Sequence, residues 1–489
     1  MARGSERTKQ LSVGSDIDRA MDFRTDRVTD LAADVRAKRR SAVELTRHSL
    51  SQIEALDSEV NAFVAVDAER ALDQAAAVDQ VVAAGGDPGP LAGIPLAVKD
   101  LEDAAGFPTT LGSPLFSDAA HAQSDSALVA RLRQAGCVVI GKTNTPELGW
   151  TSRTENALHG LTKNPWNLAH SPGGSSGGSA AALAAGMVPL ATGSDGGGSI
   201  RIPSAACGLS GMKSSLGRVP NGGDVAPSWL ELSSKGPMAR SIHDVAAALE
   251  VVVGPEQSDL TSLPRPESSF LDALSQPHLP GVVAWSPTLG YAEVDHEVLA
   301  ACEAALEVLE ANGTEVIEIE GPFDRDCVEP WLTIVSACLA RSLGHLRDDP
   351  RFGDVDPVLQ LLIAQGETTS AVGIVHALDA AHELNLALIE VFRRTRLLLT
   401  PTMAGVAPPV DLGGRGLING AEELNWVKFT YPFNLTRSPA ATVCVGRGAA
   451  GVPIGLQIIG PQHADLVVLR AAAALEDMLE FSDVAEVRP

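Results

Sequence analysis

Apolar positions along this chain follow two periods, and the periods alternate. Over residues 42–56, Val43, Leu45, Leu50 and Ile53 fall on one side of a helix, with Ser41 placed to cap it. Residues 66–84 predict a second helix, ended by Gly85-Gly86. Further helices are predicted over 126–134 (closed by Gly136), 178–185, 241–253, 297–311, 327–346, 370–394 and 464–479. Short apolar runs at 91–98, 137–140, 188–192, 282–285, 315–319, 397–400, 441–445 and 453–459 predict buried strands. Strands that alternate with helices point to an α/β fold. The Pro-rich stretch 254–280 reads as an excursion inside one domain, because too few strands follow it for a second sheet.

Composition narrows this picture. A chain of 489 residues with 45% hydrophobic and 20% charged residues is long enough and apolar enough for a large core. Its net charge of −24 and its 4% aromatic content argue against nucleic acid or an anionic membrane as partner. No apolar run reaches the length of a membrane span, and residues 1–25 are polar, so they read as a flexible leader. The six cysteines are scattered without a C-x-x-C pair, which suggests free buried thiols and a reducing, cytoplasmic setting.

The chemistry is concentrated in two glycine-rich loops. One is Ser171-Pro-Gly-Gly-Ser-Ser-Gly-Gly-Ser179; the other is Gly193-Ser-Asp-Gly-Gly-Gly-Ser-Ile-Arg-Ile-Pro203. Glycine lets backbone approach a ligand closely, and a run of glycines leaves N–H groups free to converge on one anionic oxygen. A serine beside such donors suits acyl transfer. The serine also needs a base. Lys99 ends the apolar run 91–98, so its stem is drawn into the core, where burial favours the neutral amine. The competing reading pairs Lys99 with Asp100 at a strand end.

Two other motifs compete for attention. Gly136-Cys-Val-Val-Ile-Gly141-Lys142-Thr143 has the form of a phosphate loop, but its middle residues favour a buried strand. Gly173-Gly-Ser175-Ser-Gly177 has the form of a nucleophile elbow, which requires a later acid and histidine. The late histidines His345, His376, His382 and His463 have no motif around them.

Taken in order, Pro95-Leu-Ala-Val-Lys99-Asp100, Gly141-Lys-Thr-Asn144, Asn164-Pro-Trp166 and the two glycine loops resemble the amidase signature family. Phe429-Thr-Tyr-Pro-Phe-Asn-Leu435 and Gly451-Val-Pro-Ile-Gly-Leu-Gln457 extend the resemblance toward the C-terminus. It covers most of the chain and is densest over residues 91–213. The fold it implies is α/β, one large domain over 26–489 with a twisted mixed β-sheet core covered by helices on both faces. It implies a Ser–cis-Ser–Lys triad, with Ser199 as nucleophile, Ser175 as bridging serine after a cis peptide bond, and Lys99 as base. Gly196, Gly197 and Gly198, with Ser199, are the implied oxyanion donors, braced by Asp195 and Arg201. No metal and no cofactor is implied.

Two positions depart from the family pattern. Gly196 stands where relatives often carry a side chain, which suggests a roomier loop. Ser214, in Gly211-Met-Lys-Ser-Ser215, stands where the family has proline.

The implied activity is hydrolysis of a carboxylic amide through a seryl acyl-enzyme, on a small molecule, by a monomer or homodimer. Segments 101–116, 220–232 and 330–346, with Phe107, Trp229 and Trp331, are the expected pocket walls and suggest aryl or apolar amides, with esters and carbamates as further substrates. The alternative is the glutaminase component of a tRNA-dependent amidotransferase. That component usually carries tyrosines in the segment matching 371–394, and this chain has none there.

Overall fold

The computed structural model describes residues 21–223, 226, 227 and 229–487. Eleven strands form one sheet: β1 Phe63–Val66, β2 Pro95–Lys99, β3 Val138–Thr143, β4 Leu190–Asp195, β5 Ser210–Lys213, β6 Ser234–Ala239, β7 Val282–Trp285, β8 Glu315–Glu318, β9 Leu398–Pro401, β10 Ala440–Arg447 and β11 Pro453–Ile459. Their order across the sheet is β1-β3-β2-β4-β6-β5-β10-β11-β9-β7-β8. The sheet is mixed, as expected. β2 runs parallel to β3 and β4, whereas β6 runs antiparallel to β4 and β5. Every residue of β2, β3 and β11 is buried, whichever way its side chain points. Alternate residues of a strand face opposite sides, so both faces of the sheet are covered.

Most expected elements are present with shifted ends. Ser41 forms a full capping box with Glu44 on the helix Ala42–Val60. Val66 ends β1 rather than opening a helix. The helix there is Ala68–Ala83, because the Asp67 side chain accepts from Arg70 N and fixes a later start. β5 and β6 were not anticipated. Their sequences, Ser-Gly-Met-Lys and Ser-Lys-Gly-Pro-Met-Ala, lack β-branched residues, and ladder pairing in the middle of the sheet holds them extended instead. The helix Pro357–Thr368 was also missed, between the long helices Val328–Leu343 and Ala371–Phe392.

One expectation about the periphery changes. Residues 1–20 of the expected leader lie outside the described residues. Phe23, however, is 1% exposed and meets the His48 ring edge-on at 4.7 Å, so the packed domain starts before residue 26. One helix among the described residues, Ala371–Phe392, is long and apolar enough to cross a membrane by length and composition. This helix is not an unbroken apolar run. Asp379 and Glu383 lie in the middle of this helix.

Two parallel neighbours position the site. β2 ends at Lys99 and β4 ends at Asp195. The first glycine loop leads into the helix Gly177–Ala184, and the second into Arg201–Ala206. Both loops therefore meet at the carboxyl ends of parallel strands, where α/β sheets place their ligands.

Candidate active site

Lys99 is fully buried and faces hydroxyls. Its Nζ lies 2.8 Å from Ser175 Oγ, 2.9 Å from Ser176 Oγ and 3.0 Å from Ser194 Oγ. Its backbone N–H donates to Thr192 Oγ1 at 2.9 Å. Burial lowers the ammonium pKa to about 7, although the charges of Glu102 and Asp195 pull the other way. At neutral pH a large fraction of the amine therefore carries a lone pair.

Asp100 does not pair with Lys99. Successive strand residues point to opposite faces, and Asp100 lies across from Lys142, with Lys142 Nζ 3.0 Å from Asp100 Oδ1. Lys142 also donates to Pro108 O at 3.0 Å and Thr109 Oγ1 at 2.9 Å. The residues of the phosphate-loop match, Gly141, Lys142 and Thr143, are thus strand residues of β3 and form no cradle.

The peptide bond Gly174–Ser175 is cis. Ser175 is 2% exposed and, together with Ser194 and the half-buried Ser199, lines a cavity of about 660 Å³. The Ser199 hydroxyl makes no hydrogen bond among the described residues. Its carbonyl accepts from Ser176 N at 3.3 Å, which ties the two glycine loops together. Sequence reasoning left Ser176 in a structural role and did not single out Ser194. The signal was present: Thr192 and Ser194 alternate with Gly193 on β4, beside the end of β2.

The carbonyls of the second loop are all pinned. Gly196 O accepts from Trp331 Nε1 at 2.8 Å, Gly197 O from Thr430 Oγ1 at 2.6 Å, and Gly198 O from Ile202 N at 2.7 Å. Fixed carbonyls fix the N–H groups on the other side of each peptide plane. The N–H groups of Gly196, Gly197 and Ser199 make no hydrogen bond among the described residues. Gly198 departs from the expected set: its N–H donates to Asp195 Oδ1 at 2.8 Å and is not available to a ligand.

Gly196 does not leave extra room. A Cβ there would sit 2.5 Å from the Trp229 ring, and one on Gly197 would sit 2.7 Å from Trp331. The two tryptophans meet edge-on at 5.8 Å and press on the loop, so glycine is required by close approach.

Asp195 and Arg201 form a fully buried two-point pair, with Nη2–Oδ1 at 2.8 Å and Nε–Oδ2 at 2.9 Å. Burial alone would raise the Asp195 pKa. The Arg201 charge and hydrogen bonds outweigh it and hold the carboxyl well below its usual range. Arg201 then reaches Gln457 Oε1 at 2.6 Å, Thr430 O at 3.0 Å and Asn434 Oδ1 at 2.8 Å. Asn434 Nδ2 returns to Asp195 O at 2.7 Å. The late motifs 429–435 and 451–457 thus supply the far side of this network, a role the sequence did not assign to Thr430, Asn434 or Gln457.

Lys213 is a third buried lysine, lowered to about 7 by burial, with Nζ 3.1 Å from Ser214 O. Ser214, in the place of the family's proline, has a buried hydroxyl without a partner among the described residues.

Of the expected pocket segments, the first two contribute to the cavity, through Leu101, Glu102 and Asp103 and through Asn221, Pro227 and Trp229. Residues 224, 225 and 228 of the second segment lie outside the described residues. The segment 330–346 does not line the cavity; its Trp331 stands behind the glycine loop. Phe107 is 2% exposed in the main core. His345, His376, His382 and His463 do not line the cavity. All six cysteines are free and buried, and burial pushes their thiol pKa values up.

A buried amine on serine hydroxyls, beside a cavity with unpaired backbone N–H groups, defines a serine hydrolase site without histidine. The Amidase family model matches residues 44–469, and the chain belongs to that family, hydrolases of amide carbon–nitrogen bonds. It is 36% identical to an acylamidase of Rhodococcus erythropolis over 93% of this chain and 96% of that protein. It is 37% identical to the A component of the glutamyl-tRNA(Gln) amidotransferase of Salinispora tropica, over 92% of this chain and 96% of that one. Among solved structures, a bacterial aryl acylamidase matches with a TM-score of 0.88 at 30% identity, covering 95% of this chain and 99% of that one.

Proposed function

We propose that this amidase hydrolyses small-molecule amides with aryl or other apolar groups, through an acyl-enzyme on Ser199. The observation that carries the reading is Lys99: it is buried, contacts three serine hydroxyls, and its ammonium pKa is lowered to about 7.

Ser176 Oγ donates to Ser194 O at 3.4 Å, so toward Lys99 it accepts. A neutral amine has two N–H donors, which suit Ser176 and Ser194, and one lone pair, which is left for the Ser175 proton. The Ser175–Ser199 hydrogen bond closes as substrate binds, since catalytic hydrogen bonds tighten in the Michaelis complex. Lys99 then takes the Ser175 proton while Ser175 takes the Ser199 proton, and Ser199 Oγ attacks the amide carbon. The N–H groups of Gly196, Gly197 and Ser199 hold the oxyanion, with Asp195 and Arg201 bracing the loop. The proton returns through Ser175 to the leaving nitrogen. The amine departs. Water then attacks the acyl carbon while giving a proton to Ser175, as Lys99 takes the Ser175 proton. The bond to Ser199 Oγ breaks as that proton returns to Ser199, and the carboxylic acid leaves.

The apolar preference is supported by the walls beside the serines. Leu101 and Ser175 crowd the same side of Gly149, and Trp229 lies against Gly196. The acylamidase and aryl acylamidase relatives point the same way. Esters and carbamates present the same carbonyl and are expected to be cleaved as well. The likeness to the amidotransferase component favours a second reading, glutamine hydrolysis in a tRNA-dependent amidotransferase. Assaying an aryl amide, an aryl ester, a carbamate and glutamine with wild type and Ser199→Ala decides between them. Aryl-amide turnover abolished in Ser199→Ala supports the proposal. Turnover of glutamine alone would replace it, and full activity in Ser199→Ala would end the mechanism.

A further inference from the structure

The helix Ala371–Phe392 carries an outward stripe that the amidase chemistry does not use. Val372, Val375, Asp379, His382, Leu386 and Ile389 follow one another at spacings of three, four, three, four and three residues. All six are exposed, and Val372 and Val375 are 63% and 54% exposed. Such spacing keeps side chains on one seam of a helix that pairs with another. Ala377 and Leu388 face the core, and no residue of this helix lines the catalytic cavity.

The stripe is complementary to itself. Turned end for end about a point between Ala380 and Ala381, it sets Val372 against Ile389, Val375 against Leu386, and Asp379 against His382. A two-fold axis there makes each contact twice, as an isologous interface requires. The apolar pairs lie at the two ends, and a carboxylate meets an imidazole in the middle. Asp379 already sits 3.7 Å from His376 on its own helix, and Glu383 and Glu390 are the other charged groups exposed on this helix.

We propose that two copies of this chain associate through antiparallel pairing of the Ala371–Phe392 helices. The charge pattern selects a second copy over a lipid surface. The helix has no Lys or Arg, whereas helices that lie on membranes carry them on the polar face.

The test is the solution mass of the full chain. Wild type is expected at twice the 50.8 kDa of one chain. Val375→Glu/Leu386→Glu is expected at a single chain mass, with amide turnover per chain unchanged as the check on folding. His382→Asp alone sets two carboxylates opposite each other and weakens the dimer by roughly tenfold. Asp379→His combined with His382→Asp restores it, because the two-fold exchanges the partners. A monomeric wild type overturns the proposal, whether or not it sediments with phosphatidylcholine vesicles. So does a dimer that survives Val375→Glu/Leu386→Glu, or a double swap no tighter than His382→Asp.

Discussion

Lys99 and Lys142 stand on adjacent parallel strands, both fully buried, and only Lys142 has a carboxylate against its amine. Lys142 has a carboxylate at 3.0 Å; Lys99 has three hydroxyls. The register sets Val98 beside Lys142 and Lys99 beside Thr143, so the two amines leave on opposite faces of the sheet. Asp100 follows Lys99 in sequence and, by the same alternation, serves the face of Lys142. A carboxylate compensates a buried charge and makes a structural post. Hydroxyls stabilise it less, so the amine gives up its proton and becomes available as a base.

The strongest way to break this contrast is to remove each amine in turn. Lys99→Met is expected to lower kcat/KM on the order of 10³-fold or more while the melting temperature holds or rises. Lys142→Met is expected to leave Asp100 buried and unpaired, costing about 3–5 kcal/mol of stability in denaturant titration while the folded fraction keeps its turnover. If the two variants behave alike in both measurements, the distinction is lost. Lys142→Met with Asp100→Leu is then expected to regain much of the stability, since an apolar pair needs no compensation.

The pH profile sharpens the contrast next. Catalysis needs the neutral Lys99 amine, so kcat/KM is expected to fall as pH drops below about 7. Stability runs the same way. From about 7 up to the ordinary thiol value the unfolded chain holds the extra proton, so unfolding becomes harder as pH rises through that window; above it the six buried thiols, raised by burial, pull the other way. Lys99→Met is expected to reduce this slope, and the remainder belongs to Lys213, which burial also lowers to about 7.

The smallest effects come from the shell around each feature. Gly196→Ala drives a methyl into Trp229 and is expected to cost about tenfold in kcat, with Trp229→Ala in the same chain recovering part of it. Ser194→Ala removes one acceptor from the ammonium, so the acid limb of the rate profile moves to lower pH and kcat changes by less than tenfold. An acid limb that moves up instead would mean that Ser194 supports the neutral amine.

Much of this was legible along the chain. Period and punctuation located eight of the eleven main-sheet strands, though with shifted ends, and motif order gave the family. Lys99, Ser175 and Ser199 could be singled out because hydroxyl, glycine and apolar-run signals are local. β5 and β6 could not, because their extension comes from ladder partners rather than from side-chain preference. The withdrawal of Gly198 from the oxyanion set was equally hidden, since it depends on where the Asp195 carboxylate points.

The sequence by itself determined the class of chemistry: which residue types are present, in what order, and with how much glycine around them. Only the tertiary structure decided the partners. It gave Asp100 to Lys142, brought Thr430, Asn434 and Gln457 to the Asp195–Arg201 pair, and closed the loop at Gly196 and Gly197 with two tryptophans. The reason is physical. Periodicity and conformational preference act over a few residues, whereas hydrogen bonds, burial and ion pairing depend on distances between residues hundreds of positions apart.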